Sequence, residues 1–243
     1  MNYTELAVVM PVYNEQGAIA TVIEKWVKEL TRLKVAFLLH AYNDGSRDGT
    51  LPVLLDLKKH YPNLIVHDKP NSGHGPTILR AYRENAAVPW IFQMDSDDEM
   101  GPEGFESLWI QRNNFDFLLG KRMGRNQPLE RRILSAFSRC LVRLLYGALV
   151  YDVNAPYRLM RTSAVRQFFY LIPESTFAPN VILSGACSLR SLRVHETPVA
   201  HHQRATGQVS INRWKTAQVA VRSCLQTILF RFRVSLGAGA EEK

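Results

Sequence analysis

Cysteine is scarce. The 243-residue chain holds three, Cys140, Cys187 and Cys224, odd in number and far apart. No pair has the spacing of a metal site and no even set can build a disulfide framework, so a reducing cytoplasm is the expected compartment. Long apolar runs are also missing. The longest uncharged one in the middle of the chain, Leu144 to Tyr151, falls far short of the ~20 residues that a span needs. The N-terminal "MNYTELAVVMPVY" puts no basic segment ahead of its short apolar run, which meets Pro11 at once, so no secretory leader is expected. There is no repeat of solenoid length and no low-complexity tract. No G-x-G-x-x-G follows the first apolar run, and no G-x-x-x-x-G-K-[ST] occurs. Those absences exclude a dinucleotide oxidoreductase and a P-loop enzyme together. No RNA- or DNA-binding module is recognisable, so no nucleic-acid partner is expected despite a net charge of +8.

What charge there is lies unevenly. Residues 1–120 carry 11 Lys+Arg against 16 Asp+Glu, and residues 121–243 carry 19 against 6, a net −5 followed by a net +13. A strongly basic half expects phosphate groups or an anionic surface; a merely solvated basic face is the plainer alternative.

The first half alternates two periodicities. "LAVVMPVY", "KVAFLLHAY", "LIVHDK" and "PWIFQMD" read as strands. "EQGAIATVIEKWVKELTRL", with Ile19, Val22, Ile23, Trp26, Val27 and Leu30 at helical spacing, reads as a helix, as do "LPVLLDLKKHY" and "TILRAYRENA". Such alternation predicts an α/β layer fold with a largely parallel sheet. Ligands of these sheets sit beyond the carboxyl ends of the strands. The segments there are "PVYNE", "NDGSRDGT", "NSGHG" and "DSDDE", so one site collects all four. Two later stretches, "LERRILSAFSRCLVRLLYG" and "INRWKTAQVAVRSCLQTILFRFRV", read as basic amphipathic helices of the kind that lie in a membrane interface. The first sets Ile133, Phe137, Leu141 and Leu144 against Arg132, Arg139 and Arg143. The second interleaves Trp214, Val221, Leu225, Ile228 and Phe232 with Arg213, Lys215, Arg222, Arg231 and Arg233. Packing on the protein's own core is the competing reading of both.

"DSDDE" concentrates four acids, Asp95, Asp97, Asp98 and Glu99, at a strand end. Carboxylates this close repel unless a cation sits among them. A hard divalent ion such as Mg²⁺ or Mn²⁺ takes one or two carboxylates plus substrate phosphates. Asp95 and Asp97, with Glu99 two residues on, are the candidate ligands; an acidic helix start is the alternative. Asp44 is placed to hydrogen-bond a base or ribose edge, although Asn, Asp, Gly and Ser also favour turns on their own account. The glycines of Asn71–Gly75, Gly73 among them, let backbone approach a ligand, and His74 could touch a phosphate.

These segments together carry a family likeness. "MPVYNE" (Met10–Glu15), "NDGSRDGT" (Asn43–Thr50), "NSGHG" (Asn71–Gly75) and "MDSDDE" (Met94–Glu99), in this order, resemble the family 2 glycosyltransferases of GT-A fold. "GKR" (Gly120–Arg122), "RRILSAF" (Arg131–Phe137), "YDVNAPYRLMR" (Tyr151–Arg161) and "ETPVAHHQRATGQVS" (Glu196–Ser210) resemble the branch that makes dolichyl- and polyprenyl-phosphate sugars. The resemblance covers roughly residues 5 to 211. It implies a GT-A catalytic domain over 1–211, followed by a basic amphipathic helix and tail over 212–243. Pro11, Tyr13 and Glu15 would border the nucleotide and Asp44 would meet its base. Asp95 and Asp97, with Glu99, would hold Mg²⁺ or Mn²⁺ on the diphosphate of a UDP- or GDP-sugar. Arg122, Arg131, Ser135 and Arg204 would gather around the donor diphosphate and the acceptor phosphate, as the basic half leads one to expect.

The implied chemistry is an inverting transfer. Family members with hydroxyl acceptors usually carry a Glu-Asp pair in the second half as a base, and no such dipeptide follows residue 120. Asp152 is the one plausible base there, and in this branch the matching acid reads better as an organiser near Arg158. A lipid phosphate acceptor, already an anion, is therefore favoured over a hydroxyl of a glycan or glycolipid in cell-surface polysaccharide synthesis. A catalytically silent GT-A domain tethered to a membrane is the non-enzyme alternative. Departures from the family pattern are Asn43 for the first of two Asp, "VNAPYR" around Ala155–Tyr157, and Asn180 where some relatives carry an acid. With no transmembrane tail in view, the expectation is peripheral attachment at the inner face of the membrane through the two basic amphipathic helices, or a soluble enzyme. His40, His67 and His195 are expected to be structural.

Overall fold

The computed structural model describes residues 3–123, 129–147, 150, 152–202 and 213–238, with the side chains of 129–135, 213–220 and 234–238 outside that description. The first half follows its apolar spacing: β1 Leu6–Val12, α1 Ile19–Arg32, β2 Phe37–Asp44, α2 Thr50–His60, β3 Leu64–Lys69, α3 His74–Glu84 and β4 Trp90–Gln93. Helix α3 starts earlier than the apolar pattern alone predicts, inside the glycine turn. Pro76 falls in its first turn, where the missing N–H costs nothing. Beyond β4 come α4 Phe105–Gln111, β5 Phe117–Met123, α5 Leu129–Tyr146, β6 Arg158–Arg161, α6 Thr162–Leu171, α7 Pro179–Leu189, β7 Val194–Ala200 and α8 Arg213–Ala238.

The seven strands form one sheet in the order β3-β2-β1-β4-β6-β5-β7. All neighbours are parallel except β6, which runs antiparallel to both β4 and β5. That one reversal matters for the site. The carboxyl ends of β1, β2, β3, β4, β5 and β7 lie at one edge, and the start of β6 joins them there, with Arg158 in register with Gln93 and Leu119.

Both faces of the sheet are covered, so β1 is buried at every position. Its side chains alternate between two cores. Leu6, Val8 and Met10 join Trp26, Phe92, Phe105 and Tyr157, whereas Ala7 and Val9 join Tyr82, Phe168, Ile182 and Phe230. Trp26 stands 5.1 Å from Phe92 and 5.8 Å from Tyr157, ring centre to ring centre, so α1 is keyed to the strand that ends at the acids. Each such buried aromatic contributes about 1.5–3 kcal/mol by burial alone. Helix α7 is buried from Pro179 to Cys187. Helix α8 packs beside α5: Tyr146 Oη donates to Thr227 O at 2.6 Å, and Arg231 Nε to Leu145 O at 2.8 Å. Among the described residues no helix is long and apolar enough to cross a membrane.

Candidate active site

The first two loops are stitched to each other. Asn14, in the left-handed region at φ 55°, gives its N–H to Ser46 Oγ (3.0 Å) and accepts from Arg47 N with its Oδ1 (2.8 Å). Glu15 N donates to Thr50 Oγ1 (2.9 Å), and Gly49 N donates to Gln16 Oε1 (2.8 Å). These bonds hold "PVYNE" against "NDGSRDGT". Pro11 and Glu15 are buried, while Tyr13 keeps 37% of its surface exposed.

Asp44 is tied into the chain at the end of β2. It is only 4% exposed. It forms a buried ion pair with Lys69, and accepts from Ser72 N (2.8 Å) and Gly73 N (2.9 Å). Lys69 Nζ also donates to Pro70 O (3.0 Å), Ser72 Oγ (2.7 Å) and Thr77 Oγ1 (3.0 Å). Asp44 thus anchors the turn after β3, its oxygens taking three donors. The Gly73 N–H is spent the same way, turned inward to Asp44. Gly73 sits at φ +93°, a conformation that L side chains rarely adopt, and a Cβ on Gly75 would collide with the carbonyls of Thr176 and Phe177. Gly75 therefore serves close packing within the chain, and Gly73 serves the conformation of the turn. Asn43 is also explained. Its Nδ2 donates to Asp68 Oδ1 at 2.7 Å, its neighbour across β2 and β3, so an acid at 43 would meet an acid.

The acids divide. Asp98, at φ 58°, is drawn off to Lys25 Nζ at 2.6 Å. Asp95, Asp97 and Glu99 line a small pocket together with Met100, Arg122, Pro156 and Tyr157. Its free space of about 20 Å³ holds one water-sized or ion-sized body. Asp95 Oδ1 is buried there with no hydrogen-bond partner, and His74 Nε2 stands 3.8 Å away. Asp97 Oδ1 accepts from Glu99 N at 3.2 Å. Glu99 is pulled toward the end of β7: its Oε2 lies 3.0 Å from His201 Nε2, and its carbonyl accepts from His202 N at 2.8 Å. Among the described residues no three His, Cys, Asp or Glu side chains gather closely enough to hold a metal by themselves. Of the three expected carboxylate ligands, Asp95 and Asp97 line the pocket, and Glu99 lines it and also meets His201. An orphaned, buried carboxylate oxygen beside a second carboxylate still suits a hard cation whose remaining ligands come from a diphosphate.

Arg122 enters from the end of β5. It is forked onto Asp152, Nε to Oδ2 at 2.6 Å and Nη2 to Oδ1 at 2.7 Å, and Asp152 N donates to Glu196 Oε1 at 3.1 Å. Asp152 thereby holds Arg122 at the pocket. Arg158 is fully buried and binds the carbonyls of Ala155, through Nε at 2.9 Å and through Nη2, and of Asn180 at 3.2 Å. Burial lowers its pKa. It fixes the loop that carries Asp152 and Pro156. Asn180 lies in a buried network: its Nδ2 donates to Gln93 Oε1, and its Oδ1 accepts from Tyr82 Oη, each at 2.9 Å. These bonds tie the start of α7 to Gln93, the last residue of β4. His40 and His67 are paired, 3.0 Å between ring nitrogens, and His195 stacks on Phe115. Arg131 and Ser135 lie on α5 with side chains outside the described residues, as do those of Arg132, Ile133, Arg213, Trp214 and Lys215; Arg204 lies outside the described residues altogether.

A Rossmann-like sheet with an acid pair and a pinned arginine at its switch edge defines the class of nucleotide-sugar transferases of GT-A type. Comparison with known proteins agrees. The family model "Glycosyl transferase family 2" matches residues 7–194, and the chain belongs to that family. It is 23% identical over 242 residues to an undecaprenyl-phosphate 4-deoxy-4-formamido-L-arabinose transferase of Sodalis glossinidius, covering 98% of this chain and 73% of that one. Its fold resembles glucosyl-3-phosphoglycerate synthase from Mycobacterium tuberculosis in complex with Mn²⁺, UDP and phosphoglyceric acid, with a TM-score of 0.68, 12% identity, and 94% and 78% of the two chains covered. It also resembles S. aureus TarS, with a TM-score of 0.57, 21% identity and 82% of this chain covered; the chain spans 37% of that TarS chain.

Proposed function

We propose that this glycosyltransferase moves a sugar from a UDP- or GDP-sugar to the phosphate of a polyprenyl phosphate, inverting the anomeric carbon. The observation that carries this reading is the fork between Arg122 and Asp152. A hydroxyl acceptor needs a base for its proton, whereas a phosphate arrives as an anion. The described acids of the second half are all engaged: Asp152 by Arg122, Glu196 by the Asp152 N–H, Glu174 by Arg83. The acceptor named for the Sodalis relative, undecaprenyl phosphate, supports the same reading.

On this reading an acceptor phosphate oxygen bonds to the anomeric carbon from the face opposite the donor, and the bond from that carbon to the nucleoside diphosphate breaks. Arg122, held rigid by Asp152, offsets charge gathering on the departing diphosphate. Arg131, Ser135 and Arg204 would share that work and receive the acceptor phosphate. Pro11, Tyr13 and Glu15 would border the nucleotide. Asp95 and Asp97 would hold Mg²⁺ or Mn²⁺, which when bound neutralises diphosphate charge as a Lewis acid. The enzyme would work peripherally, at the inner face of the membrane that holds its acceptor, with 1–211 as catalytic domain and 212–243 as an appended basic helix and tail.

Calorimetric binding of UDP and GDP, with and without Mn²⁺, tests the donor side. One nucleotide should bind only with the ion, and Asp97→Ala should weaken it about 100-fold. Binding of neither nucleotide under any condition would overturn the reading. Sugar transfer to polyprenyl phosphate in vesicles, but not to soluble glycans, tests the acceptor side.

A further inference from the structure

Helices α5 and α8 turn apolar side chains away from the protein. Phe137 and Leu144 of α5, and Val221, Leu225, Leu229 and Phe232 of α8, are each between 54% and 82% exposed. At about 100° per residue the four α8 side chains fall within about 80° of arc. Roughly opposite them, Thr227 and Phe230 are 1% exposed, on the side where Tyr146 bonds the Thr227 carbonyl. Helix α5 repeats the arrangement, with Val142 and Tyr146 buried behind Phe137 and Leu144. A helix packed on a core by one face ordinarily shows polar residues on the other. Among the described side chains of these two helices both faces are apolar, and only one is covered.

The flanks are cationic. The α8 sequence, Arg213–Ala238, holds five Lys or Arg and no acid. Arg222 and Arg233 are exposed beside its outer stripe, Arg222 also reaching Ser175 O at 3.2 Å, and Arg143 is exposed on α5.

We propose that the outer faces of α5 and α8 seat this protein on an anionic lipid leaflet, with the apolar side chains at the acyl boundary and the arginines among the headgroups. A second copy of the chain would set this cationic surface against itself, whereas an anionic leaflet supplies the opposite charge. The inference deepens the acceptor reading above, since α5 also carries Arg131 and Ser135, but its test needs neither donor nor acceptor.

The experiment is flotation of the full chain with phosphatidylcholine vesicles, with and without phosphatidylglycerol, at low and high salt. The wild type should float with phosphatidylglycerol vesicles. The Leu225→Gln/Leu229→Gln variant should lose about tenfold in bound fraction, and so should Phe137→Ser/Phe232→Ser as an independent pair. Arg222→Gln/Arg233→Gln should lose about fivefold, only on the anionic vesicles and only at low salt. All should keep the wild-type circular dichroism and nucleotide binding. A wild type that does not float, or apolar-face variants that float as it does, would overturn the proposal. So would a wild-type dimer that those variants dissolve in sedimentation velocity without any vesicle binding, since that would give the face to a second copy.

Discussion

Arg122 and Asp152 are locked fork to fork, 2.6 Å and 2.7 Å between their paired atoms, across 30 residues of sequence. The pair ties the end of β5 to the loop before β6 and leaves a guanidinium lining the acid pocket. Its side chains are 10% and 17% exposed, so it is sheltered from solvent screening.

Asp152→Asn should separate positioning from proton transfer. The amide cannot accept both arms of the fork, and a loosened Arg122 should lower kcat about 10–100-fold with little change in donor KM. The rising limb of the pH–rate profile, which comes from second ionisation of an acceptor phosphate at about 6, should keep its midpoint. Steady-state rates against pH check this, and loss of the limb in the variant would make Asp152 the base.

Lys69→Met should destabilise the fold by about 3–5 kcal/mol, because it strands the buried Asp44 carboxylate without its cation. Adding Asp44→Asn should recover much of that loss. Urea denaturation of the two singles and the double gives the coupling directly.

The loops at the strand ends were legible because Asn, Asp and Gly clusters closed each apolar run, and the acids were legible because they broke a basic chain. The partner of Asp44 was not. Lys69 lies opposite it only through the β2–β3 register, which one sequence does not display. The short β6 was hidden for another reason: four residues bounded by Arg158 and Arg161 carry too little alternation, and Arg158 is a fully buried charge satisfied by carbonyls. On α5 the periodicity revealed two faces but not which one meets protein. The side bearing Phe137 and Leu144 faces outward, while Val142 and Tyr146 make the core contact.

Asn43→Asp tests the family departure. It would set a carboxylate against Asp68, where Asn43 now donates at 2.7 Å, and should cost about 1–3 kcal/mol at neutral pH. Repulsion raises the folded-state pKa of one acid above its unfolded value. The penalty is therefore present at neutral pH and fades as pH falls through that raised value. Urea midpoints from pH 7 down to 4 should converge on wild type, and Asp68→Asn should remove the penalty at every pH.

Acid stability should carry a histidine signature. His40 Nδ1 lies 3.0 Å from His67 Nε2, and the His67 ring stacks on Tyr42, whose hydroxyl donates to Glu84. Burial first, and then the charge of His67, lower the His40 pKa from 6.5 to about 4; burial lowers that of His67 too. Glu84 opposes both shifts, while Arg80 and Lys58 add to the one at His67. A histidine with a depressed folded pKa binds fewer protons folded than unfolded between those two values. Stability is then full above about 6.5 and declines as pH falls toward 4, by on the order of 2–3 kcal/mol for His40. His40→Leu removes the group and should flatten that slope in urea midpoints measured from pH 7 to 4. An unchanged slope in the variant would move the acid sensitivity to other groups, His67 first among them.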